Sequence, residues 1–436
     1  MSRCSSRKPF IVLLESRIKQ FIYTMLVASC SLTIGMCLEW TWCTRSIEMY
    51  QIFRLKDLFF LGAITSAGPA AIVGSLVGLK AILVIGMIFT FCGSVIILYS
   101  MGALMILYIG RILQGFGAGI VCVIVPNYAA EISDPKIRNL LTGFHYIQFL
   151  IGMIFSRIIN EFYNYSNINM GIVVMVVVNL LVLLAVNDPP YYRMKFYENW
   201  TSVYNLDYNL QIQDSFHTKV LNNNYYKIFE SEDNYYLFLF FTKKRFRRPL
   251  LINVCLISIQ QFSGQFFLTY KLQCLHGIPT MSETIPTETE ILLLQIITSI
   301  ICLCIFGVSE KKNLLIISGF GMAITLLLMN AAYHIEIIDK DELWLPSLIL
   351  IYVIFYSIGY GPVPWILMPE ICPRSSRLWT SAVTVSLYAF LSLVNNQLFY
   401  ENIRLIYEME MFTLISAIGA YFVYLYVPKI KNCVLT

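Results

Sequence analysis

The sequence predicts an all-α membrane protein with twelve transmembrane helices arranged in two bundles of six. The chain has 436 residues, of which 58% are hydrophobic and 13% charged, and its mean hydropathy is +0.68. A soluble domain carries about 25% charged residues, so such an apolar surface would not stay in water. Several stretches reach the roughly 20 apolar residues that a helix needs to cross a bilayer. Helices are expected because backbone polar groups in lipid must be satisfied within the segment.

The apolar stretches define twelve spans and one long interruption. The interruption is polar and rich in aromatic residues, and it separates six spans from six. We therefore expect an N-terminal bundle at 1–187, a cytoplasmic central loop at 188–248 and a C-terminal bundle at 249–436. The expected spans are 18–38, 59–79, 81–100, 103–126, 140–160, 168–187, 249–270, 290–308, 313–333, 344–368, 378–399 and 410–427.

The positions of Lys and Arg predict that both termini are cytoplasmic. On that topology most of the 31 basic residues fall in inner loops and tails, as the positive-inside rule requires. Lys56 and Arg157 then fall at outer helix ends, and no basic residue occupies a clear central position in a span. This distribution favours a neutral solute over an organic anion. The plasma membrane is the default location for such a protein.

A short internal repeat supports two related halves. The segment EISDPKIR follows the fourth span and places Glu131 and Arg138 seven residues apart. The segment EICPRSSR follows the tenth span and gives Glu370 and Arg377 the same spacing. Repeated halves with a binding site between them are typical of secondary transporters.

Four segments carry a resemblance to a known family. They are GRILQGFGAG at 110–119, PNYAAEISDPKIR at 126–138, RRPLLINVCLISIQQFSG at 247–264 and GYGPVPWILMPEICPRSSR at 359–377. In this order, and on these helices, they resemble the sugar-porter branch of the major facilitator superfamily, which includes the facilitative hexose transporters. The resemblance covers most of the chain and implies the major facilitator fold. It also implies transport of a sugar, and not an enzymatic activity.

The resemblance suggests which residues contact the solute. Gln260 and Gln261 match its Gln-Gln-x-Ser-Gly signature, and buried amides offer the donors and acceptors that sugar hydroxyls need. Trp365 matches a Trp that packs on the sugar ring. Two family positions differ here: a Gln on the fifth helix aligns with Tyr146, with Gln148 nearby, and an Asn-Trp pair on the eleventh helix begins at Tyr388. A phenol can still bind a hydroxyl and pack against a ring.

The resemblance also implies an inner gate. Ion pairs among Glu131, Arg138, Glu370 and Arg377 would hold the two halves together on the cytoplasmic side. Arg111, near the outer start of the fourth span, is a further candidate for a gating ion pair. Exposed pairs of this kind often contribute little, so a solvated charge run that only sets topology is the alternative.

Two further features concern helix geometry. The glycines of GRILQGFGAG give one helix a small face, which we interpret as a packing surface. Pro362 and Pro364 are expected to interrupt the tenth helix.

The sequence therefore predicts facilitated diffusion of a hexose such as glucose by alternating access. A proton-coupled sugar symporter is one alternative, because Glu39 lies in the first span near its outer end. A non-transporting sugar sensor and a carrier of another neutral solute are the others. We expect a monomer or weak oligomer in a lipid bilayer, with a small-molecule partner and no nucleic acid. No motif indicates catalytic residues, a metal site or a cofactor.

Overall fold

The computed structural model describes residues 7–40, 49–100, 103–135, 137–162, 165–189, 244–265, 268, 287–305, 310–334, 344–400 and 405–428. Most of the expected central loop, at 190–243, lies outside these ranges. The described residues form α-helices and one short 3₁₀ turn at Arg374–Ser376.

In the part of the chain that the structure describes, six helices belong to the N-terminal half and seven to the C-terminal half. The first six are α1 (Arg7–Trp40), α2 (Met49–Val77), α3 (Leu79–Leu98), α4 (Leu104–Ile132), α5 (Arg138–Phe162) and α6 (Tyr165–Ala185). The others are α7 (Lys244–Gln261), α8 (Glu288–Ile305), α9 (Lys311–His334), α10 (Trp344–Ile358), α11 (Val363–Glu370), α12 (Arg377–Tyr400) and α13 (Leu405–Tyr426).

The fold class predicted from the sequence is confirmed. Within the described ranges, eleven segments are long and apolar enough to cross a membrane, and α10 and α11 together form one of them, Pro346–Glu370. The remaining expected span corresponds to α7. This helix is not among the eleven because it begins with the basic run at 244–248 and is therefore less apolar. Helix α4 continues to Ile132, beyond the expected end at residue 126, because Pro126 is accommodated inside the helix.

Helix α7 is shorter than the sequence predicts. It ends at Gln261, whereas the expected span runs to residue 270. Gly264 has a φ of +102°, a conformation that suits glycine and ends the helix within the QQFSG segment. The hydroxyl of Tyr352 donates to the carbonyl of Ser263 at 2.9 Å, so a backbone group freed by the break finds a partner.

The tenth span is interrupted where its prolines were expected to break it. Helix α10 ends at Ile358 and α11 begins at Val363, with a turn between them. In that turn the amide of Tyr360 donates to Ser318 Oγ at 3.2 Å, and the amide of Gly361 donates to the carbonyl of Tyr356 at 2.8 Å. The backbone amides that the break leaves without helical partners thus find acceptors inside the protein, as the bilayer requires.

The glycines of α4 bring three helices close together, as their spacing predicts. A Cβ built on Gly115 would overlap the carbonyl group of Phe59 on α2. On the other side of α4, a Cβ on Gly110 would lie 2.9 Å from the carbonyl oxygen of Gly93 on α3. The small face therefore serves helix packing.

The helix ends collect at two sides of the bundle. The terminus side holds the start of α1, the end of α4 and the end of α13. There Arg17 hydrogen-bonds Asp134 at 3.2 Å, and Lys312 donates to the carbonyl of Tyr424 at 2.7 Å. The opposite side, called the far side, holds the end of α1 and the starts of α2 and α8.

We expect Gly115→Ala to lower the free energy of unfolding by about 1–3 kcal/mol, because the added methyl group overlaps backbone atoms of α2. Gly68→Ala is the matched control, since nothing lies within 4 Å of a Cβ at that position. It should be neutral or stabilise the helix by up to about 1 kcal/mol. Thermal unfolding in detergent measures both variants, and equal stability of the two would contradict the close packing.

Candidate binding cavity

A cavity of about 170 Å³ lies between the two halves. Helices α1, α2, α4 and α5 line it from the N-terminal half, and α7, α8, α10, α11 and α12 line it from the C-terminal half. Its wall has two parts of different chemistry, one built of amides and aromatic rings and the other of charged side chains.

The side-chain amide of Gln260 on α7 has a nitrogen that makes hydrogen bonds within the protein and an oxygen that makes none within the described ranges. Its amide nitrogen donates to the carbonyl of Gly361 at 3.2 Å and to the hydroxyl of Tyr356 at 3.4 Å. These bonds tie α7 to the turn between α10 and α11. Among the described residues, its buried Oε1 atom accepts no hydrogen bond. A buried acceptor without a partner costs about 1–3 kcal/mol, so this atom is suited to a hydroxyl donor from a ligand.

Gln261 connects α7 to α12. Asn395 Nδ2 donates to the backbone carbonyl of Gln261 at 2.9 Å and to its side-chain oxygen at 3.4 Å. Tyr388 on α12 is a close polar neighbour of Gln261. The two glutamines therefore hold α7 against α10, α11 and α12 while lining the cavity.

Trp365 provides the main apolar wall of the amide and aromatic part. It lies in α11, is 6% exposed, and has Tyr388 and His145 as ring neighbours. The ring centroids lie 5.1 Å from Tyr388 in an edge-to-face arrangement and 5.4 Å from His145. His145 is held by Ser31, whose Oγ lies 2.7 Å from Nδ1. Rotamers fixed by such neighbours suit a preorganised site.

Tyr146 brings the N-terminal half to the same place. Its phenol lies within electrostatic range of the hydroxyl of Tyr356 on α10, which accepts a hydrogen bond from Gln260. A Cβ on Gly361 would lie 2.8 Å from the Tyr146 hydroxyl, so the turn before α11 approaches this phenol closely. The two halves meet here through polar groups that can exchange one partner for another.

Four charged side chains form the second part of the wall. Arg157 on α5 forms ion pairs with Glu39 on α1 and with Glu288 on α8. Lys56 on α2 lies within electrostatic range of Glu39 and Arg157. The side chains of Glu39, Lys56 and Glu288 are between 2% and 5% exposed. The cluster balances two carboxylates against two cations, which fits a buried site.

Ion pairs also join the halves on the terminus side. Arg377 on α12 pairs with Glu131 on α4, and both side chains are nearly buried. Lys311 on α9 pairs with Glu370 and donates to Asn139 on α5 at 2.7 Å. Of the four repeat residues predicted as a gate, Glu131 and Arg377 thus pair with each other, whereas Glu370 pairs with Lys311, which the sequence did not indicate.

The other two predicted gate residues have different surroundings. Arg138 donates to the carbonyl of Ser133 at 3.3 Å and lies within electrostatic range of the Glu131 and Arg377 pair. Arg111 is fully buried away from that pair, where it donates to the carbonyl of Cys37 and to Gln114, both at 2.8 Å. Its guanidinium also lies over the rings of Trp40 and Phe59.

On the far side, a second set of contacts crosses between the halves. Asp57 on α2 accepts hydrogen bonds from Asn396, at 2.7 Å, and from Gln397, both on α12. The cavity thus lies between cross-half contacts at its two ends.

Five of the six solute-binding candidates from the sequence line the cavity: Gln260, Gln261, Trp365, Tyr146 and Tyr388. Gln148 does not line it, because the residue two positions before it on α5 is the one that faces inward. The helical period of 3.6 residues places residues 146 and 148 on different faces of α5, so it could have indicated that only one of them faces the cavity.

The sequence reasoning missed the charged part of the wall. Lys56 and Arg157 were placed at outer helix ends, and Glu39 was expected within reach of water, yet all three line the cavity. Glu288 was not singled out at all. In the sequence these four residues are marked only by lying within one or two helical turns of a span end. That position does not indicate which neighbouring helix each side chain will contact.

The chain matches the family model described as "Sugar (and other) transporter" over residues 20–436. It is 24% identical over 406 residues to the sugar transporter ERD6-like 6 of Arabidopsis thaliana, covering 89% of this chain and 81% of that one. It is also 24% identical over 387 residues to the facilitated trehalose transporter Tret1 of Bombyx mori, covering 83% and 75%.

Solved structures show the same fold. The proton:xylose symporter XylE bound to 6-bromo-6-deoxy-D-glucose superposes with a TM-score of 0.78 at 16% identity, covering 95% of this chain and 98% of that chain. The chain therefore belongs to the sugar transporter family and has the major facilitator fold. It is a multi-pass membrane transporter and not an enzyme.

If Gln260 binds the sugar, Gln260→Leu should raise the KM for uptake about tenfold, equivalent to roughly 1.4 kcal/mol of binding. The physical reason is loss of the unpartnered Oε1 acceptor. Gln148→Leu is the matched control, because it makes the same chemical change on a residue outside the cavity wall. Radiolabelled uptake into proteoliposomes measures both, and an equal effect of the two substitutions would contradict the assignment.

Proposed function

We propose that this transporter carries a hexose such as glucose by facilitated diffusion with alternating access. The observation that carries the proposal is the cavity between the halves, lined by amides and an aromatic wall. Its volume of about 170 Å³ is below the roughly 300–1,000 Å³ of cavities that hold drug-sized ligands, which favours one small ring over a larger solute.

The amide and aromatic part provides the two kinds of contact that a sugar needs. Gln260 offers an unpartnered acceptor, and Gln261, Tyr146 and Tyr388 offer polar groups for further hydroxyls. Trp365 offers an apolar surface for the less polar face of the ring. Because the wall draws on both halves, a bound sugar would contact both and favour their closing around it.

Alternating access requires contacts that form on one side of the cavity and break during the cycle. The Arg377–Glu131 pair crosses between the halves on the terminus side and is such a contact. Lys311, paired with Glu370 and bonded to Asn139, adds a second link there. Among the described residues most Lys and Arg lie at helix ends on this side, so we place it in the cytoplasm, with both termini, and the protein in the plasma membrane.

Proton-coupled symport is the second candidate. The observation in its favour is Glu39, a carboxylate of the first span that lines the cavity and is 2% exposed. Intramembrane carboxylates commonly serve as proton carriers. Its ion pair with Arg157 already engages this carboxylate within the N-terminal half, which favours uniport.

Uptake of radiolabelled glucose into proteoliposomes, with and without an imposed pH gradient, tests the two candidates. We expect saturable uptake that reaches equilibrium and does not respond to the gradient. Accumulation driven by the gradient would instead establish symport. Absence of uptake by folded protein would reject glucose and direct the screen to other neutral solutes.

Charge reversal tests the terminus-side gate. Glu131→Arg and Arg377→Glu should each reduce uptake about tenfold or more, because each places like charges together at a nearly buried contact. The double variant restores opposite charges and should recover much of the rate. Arg247→Glu, on an exposed residue of α7, is the control for a change of charge on this side. Unchanged uptake in both single variants would contradict the gate.

A further inference from the structure

The ion pairs of Arg157 differ in which parts of the molecule they join. Glu39 and Arg157 both belong to the N-terminal half, on α1 and α5, so their pair stays within one half. Glu288 is at the start of α8, so its pair with Arg157 crosses to the C-terminal half. One guanidinium therefore holds one partner permanently and another only while the two halves are together.

The charged cluster lies at the end of the cavity that faces the far side. Glu39 is next to the end of α1, and Glu288 is the first residue of α8. The neighbouring Asp57 contacts to α12 also cross between the halves at this side. The cluster is thus opposite the Arg377–Glu131 pair, with the cavity between them.

The energetics favour a contact that opens and closes. A buried charge that loses its partner is strongly unfavourable unless something replaces that partner. When the far side separates, Arg157 keeps Glu39, and Lys56 remains close to the same carboxylate. Glu288 would lose its partner at the moment that water enters the cleft and can hydrate it. Separation therefore leaves no unpaired charge in a dry site.

We propose that Arg157 and Glu288 form the outer gate of this transporter, with Glu39 keeping Arg157 in position. The proposal rests on alternating access and on the cytoplasmic placement of the terminus side. The closed gate holds the far side together while the solute leaves toward the terminus side. The open gate admits solute from outside.

Labelling of Cys122 tests the gate without any substrate. Cys122 lies on α4 and lines the cavity, so a membrane-impermeant thiol reagent added to intact cells reaches it only through an open far side. Glu288→Gln removes the cross-half charge pair and keeps the side-chain size. We expect its initial rate of Cys122 labelling, read by peptide mass spectrometry, to rise about fivefold, equivalent to roughly 1 kcal/mol.

Glu290→Gln is the matched control, since it makes the same change on an exposed residue of α8 that does not line the cavity. It leaves the cross-half pair in place, so its labelling rate should stay within about twofold of the unmodified protein. Equal labelling of the two variants, or no rise with Glu288→Gln, would overturn the proposal. If Glu288→Gln does not fold, Glu288→Asp retains the charge on a shorter arm and must raise labelling by a smaller factor; an unchanged rate would count against the gate.

The outcome can be separated from that of the proposed function. A rise in labelling with Glu288→Gln, together with no glucose uptake by the unmodified protein, would support the gate and reject only the choice of solute. Normal glucose uptake with no change in labelling would support transport and reject the gate.

Discussion

The constraint on which this structure depends is that polar groups inside a bilayer must find partners inside the protein. Lipid cannot satisfy them, so each buried donor or acceptor directs its helix toward a neighbour. Arg111 illustrates the rule, because its guanidinium is fully buried and is satisfied by Gln114 and by a carbonyl of α1. Asn179 does the same within the N-terminal half by donating to Ser29 and Thr33 of α1. Polar residues thus determine which helices meet, and small residues determine how closely.

The same constraint explains why the site lies between the halves. Contacts within each half include close backbone packing, such as that of Gly115 against α2. At the interface of the halves, polar side chains meet that can change partners: Gln260, Tyr146 and Tyr356 in the cavity, and Arg377 with Glu131 at one end. Such an interface can separate and re-form at a low cost, because water or a polyhydroxylated solute can replace each lost hydrogen bond.

Both interruptions of the helices occur where they shape the cavity. Gly264 ends α7 directly after the two glutamines, and the Gly359–Pro362 turn precedes Trp365. Irregular backbone in a membrane protein is tolerated where it is buried in protein or lines a cavity. Here Tyr352 and Ser318 supply the missing partners.

The sequence by itself determined the membrane spans, their approximate bounds, the two halves and five of the six wall residues it proposed. It could do so because hydropathy, helix-breaking prolines and glycines, and short motifs are properties of neighbouring residues along the chain. Only the tertiary structure showed that Arg377 pairs with Glu131, that Arg111 serves packing within one half, and that Glu39, Lys56, Arg157 and Glu288 form one cluster. Those partnerships join residues far apart in the chain, and a charged residue near a span end gives no local sign of which helix will face it.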